Sequence, residues 1–503
     1  MAIAPKSKST KPLKYKNYIN GEWVDTTSGK YIPNINPANT DDVIGHFPSS
    51  TREEALQAIE VAEKAFPMWR NTTPPARARI FAKVAQMLYD KKEELARVMT
   101  REEGKTLAEA RGEIQKGINL IEYYSGSGFR LQGVTAPSEL PNSFLYTIRQ
   151  PLGVVSIITP WNFPFSIPCW KIAPALVAGN TVVFKPASLT PWMAIKFVEI
   201  LEQAGLPKGV LNMVIGSGGI VGDVFVNDKR IKAVSFTGSC ETGALVAQQA
   251  MKHLAKVTCE MGGKNPLVIM EDGDLALALE GVILGAFGST GQRCTATSRL
   301  ILHKPIADKF VNMLLERVKK IKTGPGDEEG IFMGPAVDEQ QLKTDLKYID
   351  IAKKEGATLL IGGERLTGGK YDKGYFVAPT VFDNVTPQMR IFKEEVFGPV
   401  LSIIRVNDFE EALATANAVT FGLSSSIYTN NPSHIMRFID GIEAGMTHIN
   451  SATIGGEAQV PFGGIKETGV GNREMADEGI NFFTELKTVF FEYSGKKRDS
   501  NIY

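Results

Sequence analysis

Cysteine and histidine are scarce in this chain, with four of one and five of the other among 503 residues. Cys169, Cys240, Cys259 and Cys294 form no CxxC pair and no regular framework. That excludes a disulfide scaffold and fits free thiols in a reducing compartment. His46, His253, His303, His434 and His448 show no HExxH and no ligand spacing, so no metal site is expected. Neither sign of charge is in excess: 56 basic and 55 acidic residues leave a net charge of +1. No overall field then favours nucleic acid or a membrane surface. No apolar run approaches the ~18 residues of a membrane span, and the N-terminal lysines lack the apolar segment of a signal peptide. The expected location is the cytoplasm. Lys6, Lys8, Lys11, Lys14 and Lys16, with Lys496, Lys497 and Arg498, read as solvated tails rather than a binding arm. There is no internal repeat and no low-complexity tract.

What is present is a long chain of ordinary composition, 43 % apolar and 22 % charged, as in soluble globular proteins. Its length predicts two or three domains. Residues 18–35 read as short strands, and 53–69, 76–91 and 92–103 carry apolar residues at helical spacing. Residues 143–149 alternate as an exposed strand does. From 153 onward short apolar runs (153–158, 181–184, 210–215, 233–236) are separated by helical stretches such as 195–204 and 242–254. Fully apolar strands alternating with helices predict a buried parallel sheet of the nucleotide-binding type. A second such set, with strands at 266–269, 298–302 and 400–404, extends to about residue 450. The β-prone run 482–491 needs a pairing partner, often supplied by another subunit.

Two segments stand out chemically. Gly288-Ser-Thr-Gly-Gln-Arg-Cys294 offers a cysteine in a glycine-flanked polar turn, and Glu260-Met-Gly-Gly-Lys-Asn265 offers a carboxylate followed by two glycines. A thiolate attacks a carbonyl carbon and a carboxylate activates water, so the pair can form a thioester and hydrolyse it. Locally, Cys294 is either that nucleophile or a small buried apolar residue. Its polar neighbours Gln292, Arg293 and Thr295 favour the first, and Arg293 is expected to lower the thiol pKa. Glu260 is either the base or a turn residue. Thr159-Pro-Trp-Asn-Phe-Pro164 ends a strand and leads into a helix, whose first turn suits Pro164. Asn162 puts an amide where an oxyanion can be held. Phe163, Ile167 and Trp170 share a helical face that is either a substrate wall or ordinary core. Phe236-Thr-Gly-Ser-Cys-Glu-Thr-Gly243 suits pyrophosphate at a helix N-terminus. Gly216-Ser-Gly-Gly-Ile-Val-Gly222 is glycine-rich without completing GxGxxG. Lys185, ending a strand, can reach a ribose or phosphate.

Together the segments TPWNFP, VVFKPAS, FTGSCETG, EMGGKNP, GQRC, EEVFGPV and PFGGIKETG resemble the NAD(P)-dependent aldehyde dehydrogenase superfamily in order and spacing, over about residues 18–491. The resemblance implies that Cys294 attacks the aldehyde carbon, that Asn162 and the Cys294 N–H hold the oxyanion, and that Glu260 activates water. By similarity Thr159, Pro160, Trp161, Lys185, Ser188, Gly218, Gly238, Ser239 and Gly243 border NAD or NADP, while Glu395 and Phe397 place the nicotinamide end. Lys171 matches a further catalytic motif position, and Arg293, Phe163, Ile167, Trp170, Thr295 and Thr453 border the substrate. The implied fold is two doubly wound α/β domains, a Rossmann-like cofactor domain (1–135 and 152–262) and a catalytic domain (263–479), plus a small β oligomerisation flap (136–151 and 480–503). A homodimer or homotetramer is implied, with no metal and no macromolecular partner beyond further copies.

One departure bears on the cofactor. Three residues beyond Lys185, where NAD-preferring members commonly carry a glutamate, this chain has Ser188. A serine can donate to a 2′-phosphate that a carboxylate would repel, so NADP is expected to be accepted and favoured. Arg293, beside the nucleophile, is either a local ion pair or the anchor of an anionic substrate. In its motifs the chain looks most like α-ketoglutarate semialdehyde (2,5-dioxopentanoate) dehydrogenases. Aminoadipate semialdehyde, glyceraldehyde-3-phosphate and aromatic aldehydes are alternative substrates. A CoA-acylating enzyme of this type usually lacks the counterpart of Glu260, and a non-catalytic relative would have lost Cys294, Glu260 or Asn162.

Overall fold

A computed structural model of the protein describes residues 13–495. The terminal residues Lys6, Lys8, Lys11, Lys496, Lys497 and Arg498 lie outside the described residues. Two large twisted sheets organise the molecule. The first has the order Glu22–Val24, Asn17–Ile19, Leu211–Met213, Thr181–Lys185, Val154–Ile158, Ile231–Thr237, Lys256–Glu260, Gly469–Val470. Its five strands from Leu211–Met213 to Lys256–Glu260 are mutually parallel, and the flanking strands are antiparallel. Val154–Ile158 and Thr181–Lys185 are buried at every position, as expected for parallel strands covered by helices on both faces. The second sheet runs Thr358–Ile361, Thr380–Asp383, Val400–Val406, Thr297–His303, Asn265–Ile269, Ser424–Tyr428, Met446–Ile449, parallel except at its first edge. The fold is thus mixed α/β with two parallel-rich sheets. Gly469–Val470, which the sequence reading places in the second unit, instead adds an edge strand to the first sheet.

Two expectations are corrected. Residues 76–91 and 92–103 form one helix, Pro74–Glu103, because no glycine or proline interrupts it. Gly104, at φ +95°, stops it in the left-handed conformation that favours glycine. The run 482–491 begins its strand only at Thr484, Phe482 being the end of a short helix. Thr484–Glu492 pairs with Ser143–Pro151 of the same chain along its whole length. Along it Leu486, Phe490 and Phe491 are exposed at 55 %, 78 % and 55 %, the two phenylalanines on opposite faces of the strand. Among the described residues no helix is long and apolar enough to cross a membrane.

Candidate active site

Cys294 follows the helix Leu275–Phe287 through a turn that few residue types adopt. Ser289, Thr290 and Gly291 have φ of +48°, +59° and +67° in succession. Left-handed backbone costs an L-residue on the order of 1–2 kcal/mol, so the turn persists only where other contacts hold it. The Ser289 N–H donates to the Glu109 carboxylate, and the Thr290 hydroxyl donates to the Gly334 carbonyl at 3.1 Å. Gln292 donates to Pro335 O and accepts from the Val337 N–H at 2.9 Å. Asn265 then fixes the backbone around Cys294, donating to the carbonyls of Cys294 at 2.8 Å and Ala296 at 2.9 Å. A Cβ at Gly263 would stand 2.6 Å from the Cys294 oxygen, so this close approach requires glycine.

Glu260 is the last residue of its strand, where the first sheet passes into the second. It is buried and accepts the Gly464 N–H at 3.0 Å. Burial, and then the nearby Glu474 carboxylate, hold its pKa well above the usual carboxylate range. A cavity of about 440 Å³ brings Glu260 and Cys294 together with Phe163, Ile167, Trp170, Arg293 and Thr295. Phe163 and Pro164 precede the helix, which starts at Ser166, so Pro164 is not in its first turn. The Asn162 amide donates to Gln292 O at 3.1 Å, two residues before the nucleophile.

Three further expectations change. Thr453 does not border the cavity: it lies behind the wall, bonded to the Thr297 hydroxyl at 2.8 Å and to Thr295 O at 2.7 Å. Lys171 does not border it either, since its ammonium is held by Glu474 and by the Ser235 hydroxyl at 2.8 Å. Arg293 does border it, but its guanidinium is bonded to Glu109 at 3.2 Å and Ser289 Oγ at 2.8 Å. Nor does Arg293 set the thiol pKa. Burial pushes Cys294 up to about 12, Glu395 and Glu260 add to the rise, and the opposing cation is Lys116. Sequence reasoning missed Lys116, Glu109, Glu474 and Asn265. The first two sit on an amphipathic helix, Leu107–Ser127, whose charges read as solvent-facing, and no local pattern reveals that its polar side meets the cavity.

A second cavity, of about 560 Å³, lies at the carboxyl ends of the parallel strands, where α/β sheets bind ligands. Thr159, Pro160, Trp161, Lys185, Gly218, Gly238 and Ser239 border it. Thr237 borders both cavities, and its buried hydroxyl has no partner. Ser239 caps the helix Cys240–Met251, leaving that helix's N-terminal end at the cavity. Among the described residues the Lys185 ammonium bonds only the Pro186 carbonyl, at 3.1 Å, and burial lowers its pKa to about 8. A buried cation without a carboxylate, an unpartnered hydroxyl and a helix N-terminus together fit a phosphate- and hydroxyl-rich dinucleotide. Gly243 is instead a packing glycine, where a Cβ would strike Met261. Ser188 is an exposed residue beside this cavity rather than a wall residue, its hydroxyl donating to Gly216 O at 3.3 Å. Glu395 and Phe397 also lie outside this wall. Glu395 accepts the Gly263 N–H at 2.9 Å, and burial raises its pKa to about 7. Phe397, at φ +63°, packs edge-on against Trp161 with centroids 5.5 Å apart.

The sequence profile of the aldehyde dehydrogenase family matches residues 23–489. The chain is 47 % identical, over 96 % of its length and 99 % of the relative's, to an α-ketoglutaric semialdehyde dehydrogenase of Bacillus subtilis. It is 45 % identical, over 95 % and 99 %, to an α-ketoglutarate semialdehyde dehydrogenase of Haloferax volcanii. Its structure superposes with a TM-score of 0.94 on betaine aldehyde dehydrogenase of Staphylococcus aureus in complex with NAD+, at 35 % identity and covering 98 % and 97 % of the two chains.

Proposed function

The chain belongs to the aldehyde dehydrogenase family, and we propose that its aldehyde is an acidic semialdehyde, α-ketoglutarate semialdehyde (2,5-dioxopentanoate) first among them. Oxidation of an aldehyde to a carboxylic acid with NAD(P) follows from the family. The observation that carries the substrate reading is the cavity wall, where Lys105 and Arg293 are paired with Glu113 and Glu109 and Lys116 has no carboxylate partner among the described residues. Its closeness in sequence to two enzymes named for that semialdehyde supports it. A cationic aldehyde, such as the name of the Staphylococcus aureus enzyme indicates, fits this wall less well.

In this reading the Cys294 thiolate adds to the aldehyde carbon, and the Asn162 amide and the Cys294 N–H hold the oxyanion. Bound NAD(P) supplies the hydride acceptor, with Lys185, Ser239 and the strand-end residues Thr159–Trp161 holding it. Glu260 takes a proton from the water that hydrolyses the Cys294 thioester, which releases the acid and returns the thiol. Lys171 acts through Glu474, whose charge bears on Glu260. NADP is favoured because Ser188 places no carboxylate beside a 2′-phosphate. The domain division given by the resemblance, a cytoplasmic location and a dimeric or tetrameric assembly belong to the same proposal. The exposed apolar side chains of Thr484–Glu492, Leu486, Phe490 and Phe491, support the assembly.

The test is NAD(P)H formation with α-ketoglutarate semialdehyde, succinate semialdehyde, benzaldehyde and pentanal. A strong preference for the acidic aldehydes, lost entirely in Cys294→Ala, is expected. A flat profile, or one led by benzaldehyde, overturns the substrate reading.

A further inference from the structure

We propose that Lys116 is the residue that receives the substrate carboxylate at the Cys294 cavity, and that Arg293 only positions the wall. The inference rests on the acidic-semialdehyde reading above. Of the three cations on the wall, two are already paired. Lys105 donates to Glu113 at 2.6 Å and to Asn162 O at 2.8 Å. Arg293 is bonded to Glu109 and Ser289. Lys116 has no ion-pair partner and no hydrogen-bond acceptor among the described residues; its ammonium stands over the rings of Trp170 at 5.0 Å and Phe462 at 5.7 Å.

The neighbouring carboxylates cannot serve it. Glu113, one turn before Lys116 on the same helix, accepts from Lys105 and from the N–H groups of Phe165 at 3.0 Å and Ser166 at 3.1 Å. Glu109 is taken up by Ser289, Arg293 and the helix cap at Thr106. Glu260 is bonded to Gly464. Aromatic faces attract an ammonium without neutralising it, so the site has one cation in want of an anion. Space beside it is made by glycine: Gly455 and Gly456, at φ +135° and +141°, form the adjoining loop, and a Cβ at Gly456 would lie 3.5 Å from the Lys116 nitrogen. Lys116 and Cys294 border the same cavity, so one bound molecule can meet both. The same ammonium repels a cationic aldehyde from the Trp170 and Phe462 rings.

The experiment compares wild type, Lys116→Met and Lys116→Arg on α-ketoglutarate semialdehyde and on pentanal, with glutarate as a competitive inhibitor. Lys116→Met is expected to lower the acidic-to-neutral ratio of kcat/KM by about 10–100-fold, as loss of one charge-assisted contact does, chiefly through KM. Glutarate should weaken by a similar factor, and Lys116→Arg should keep most of the ratio. Because Lys116 also bears on the Cys294 thiol, folding is read from circular dichroism of the same sample and the role of Lys116 from the ratio alone. An unchanged ratio in Lys116→Met overturns the role of Lys116 and leaves the acidic substrate standing. A wild-type enzyme without preference for the acidic aldehyde overturns both.

Discussion

Asn265, the last residue of the Glu260 motif, holds the carbonyl of Cys294 at 2.8 Å. The two chemical segments are thereby one unit in space: the strand that follows the base carries the side chain that orients the nucleophile. Asn265→Ala removes the donor to two inward-facing carbonyls, of Cys294 and Ala296. Leaving such groups unpaired costs about 1–3 kcal/mol. The expected result is a lower unfolding midpoint in denaturant together with slower acylation of Cys294. Full acylation rate in a destabilised variant would show that the bond serves folding alone.

In the proposed reaction Glu260 is required only after the thioester has formed. Glu260→Gln is therefore expected to keep a burst of NAD(P)H equal to the active sites while steady turnover falls by about 10²–10⁴-fold, the usual contribution of a general base. Stopped-flow absorbance separates the phases. Loss of the burst along with turnover would place Glu260 in the attack step instead.

With the Cys294 thiol raised to about 12, the free enzyme carries it protonated near neutral pH. Its alkylation by iodoacetamide should rise about tenfold per pH unit on the alkaline side of neutrality, because only the thiolate reacts. Glu395, itself titrating at about 7, adds to the rise in the thiol pKa once ionised. Removing that charge lowers the thiol pKa, so Glu395→Gln should be alkylated faster than wild type above pH ~8. Slower alkylation would contradict the sign.

Arg293 and Glu109 form a largely enclosed pair at 3.2 Å. A double-mutant cycle of Arg293→Ala and Glu109→Gln, read as stability, is expected to show coupling of about 0.5–3 kcal/mol. Strict additivity would mean that the two act independently.

Ser188 leaves room for a 2′-phosphate. Ser188→Glu is expected to lower the NADP-to-NAD ratio of kcat/KM by at least about tenfold, equivalent to about 1.4 kcal/mol. An unchanged ratio would remove Ser188 from cofactor choice.

Much of the nucleophile, the base and the strand-end residues was legible in the chain. Cys294 sits among polar residues with glycines close by, and Thr159, Lys185 and Gly238 end or follow apolar runs whose lengths mark parallel strands. Such features are local: a turn type, a strand end, a glycine beside a functional group. The partners of charged side chains were not legible, because pairing is decided by which helix face meets which loop. Arg293 beside Cys294 could be read as a local ion pair or as a substrate anchor, and its partner is Glu109, far away in the sequence. Lys171 looked catalytic by position, yet Glu474 holds it behind the wall. Nothing in the sequence singles out Lys116, and only tertiary packing set it over Trp170 and Phe462 with no counter-ion among the described residues. The sequence by itself determined the parallel-rich sheets and the family and pointed to the proposed reacting groups, since those follow from short-range pattern and residue chemistry. The tertiary structure alone decided which charges cancel and which stand open, because electrostatic pairing depends on distance in space.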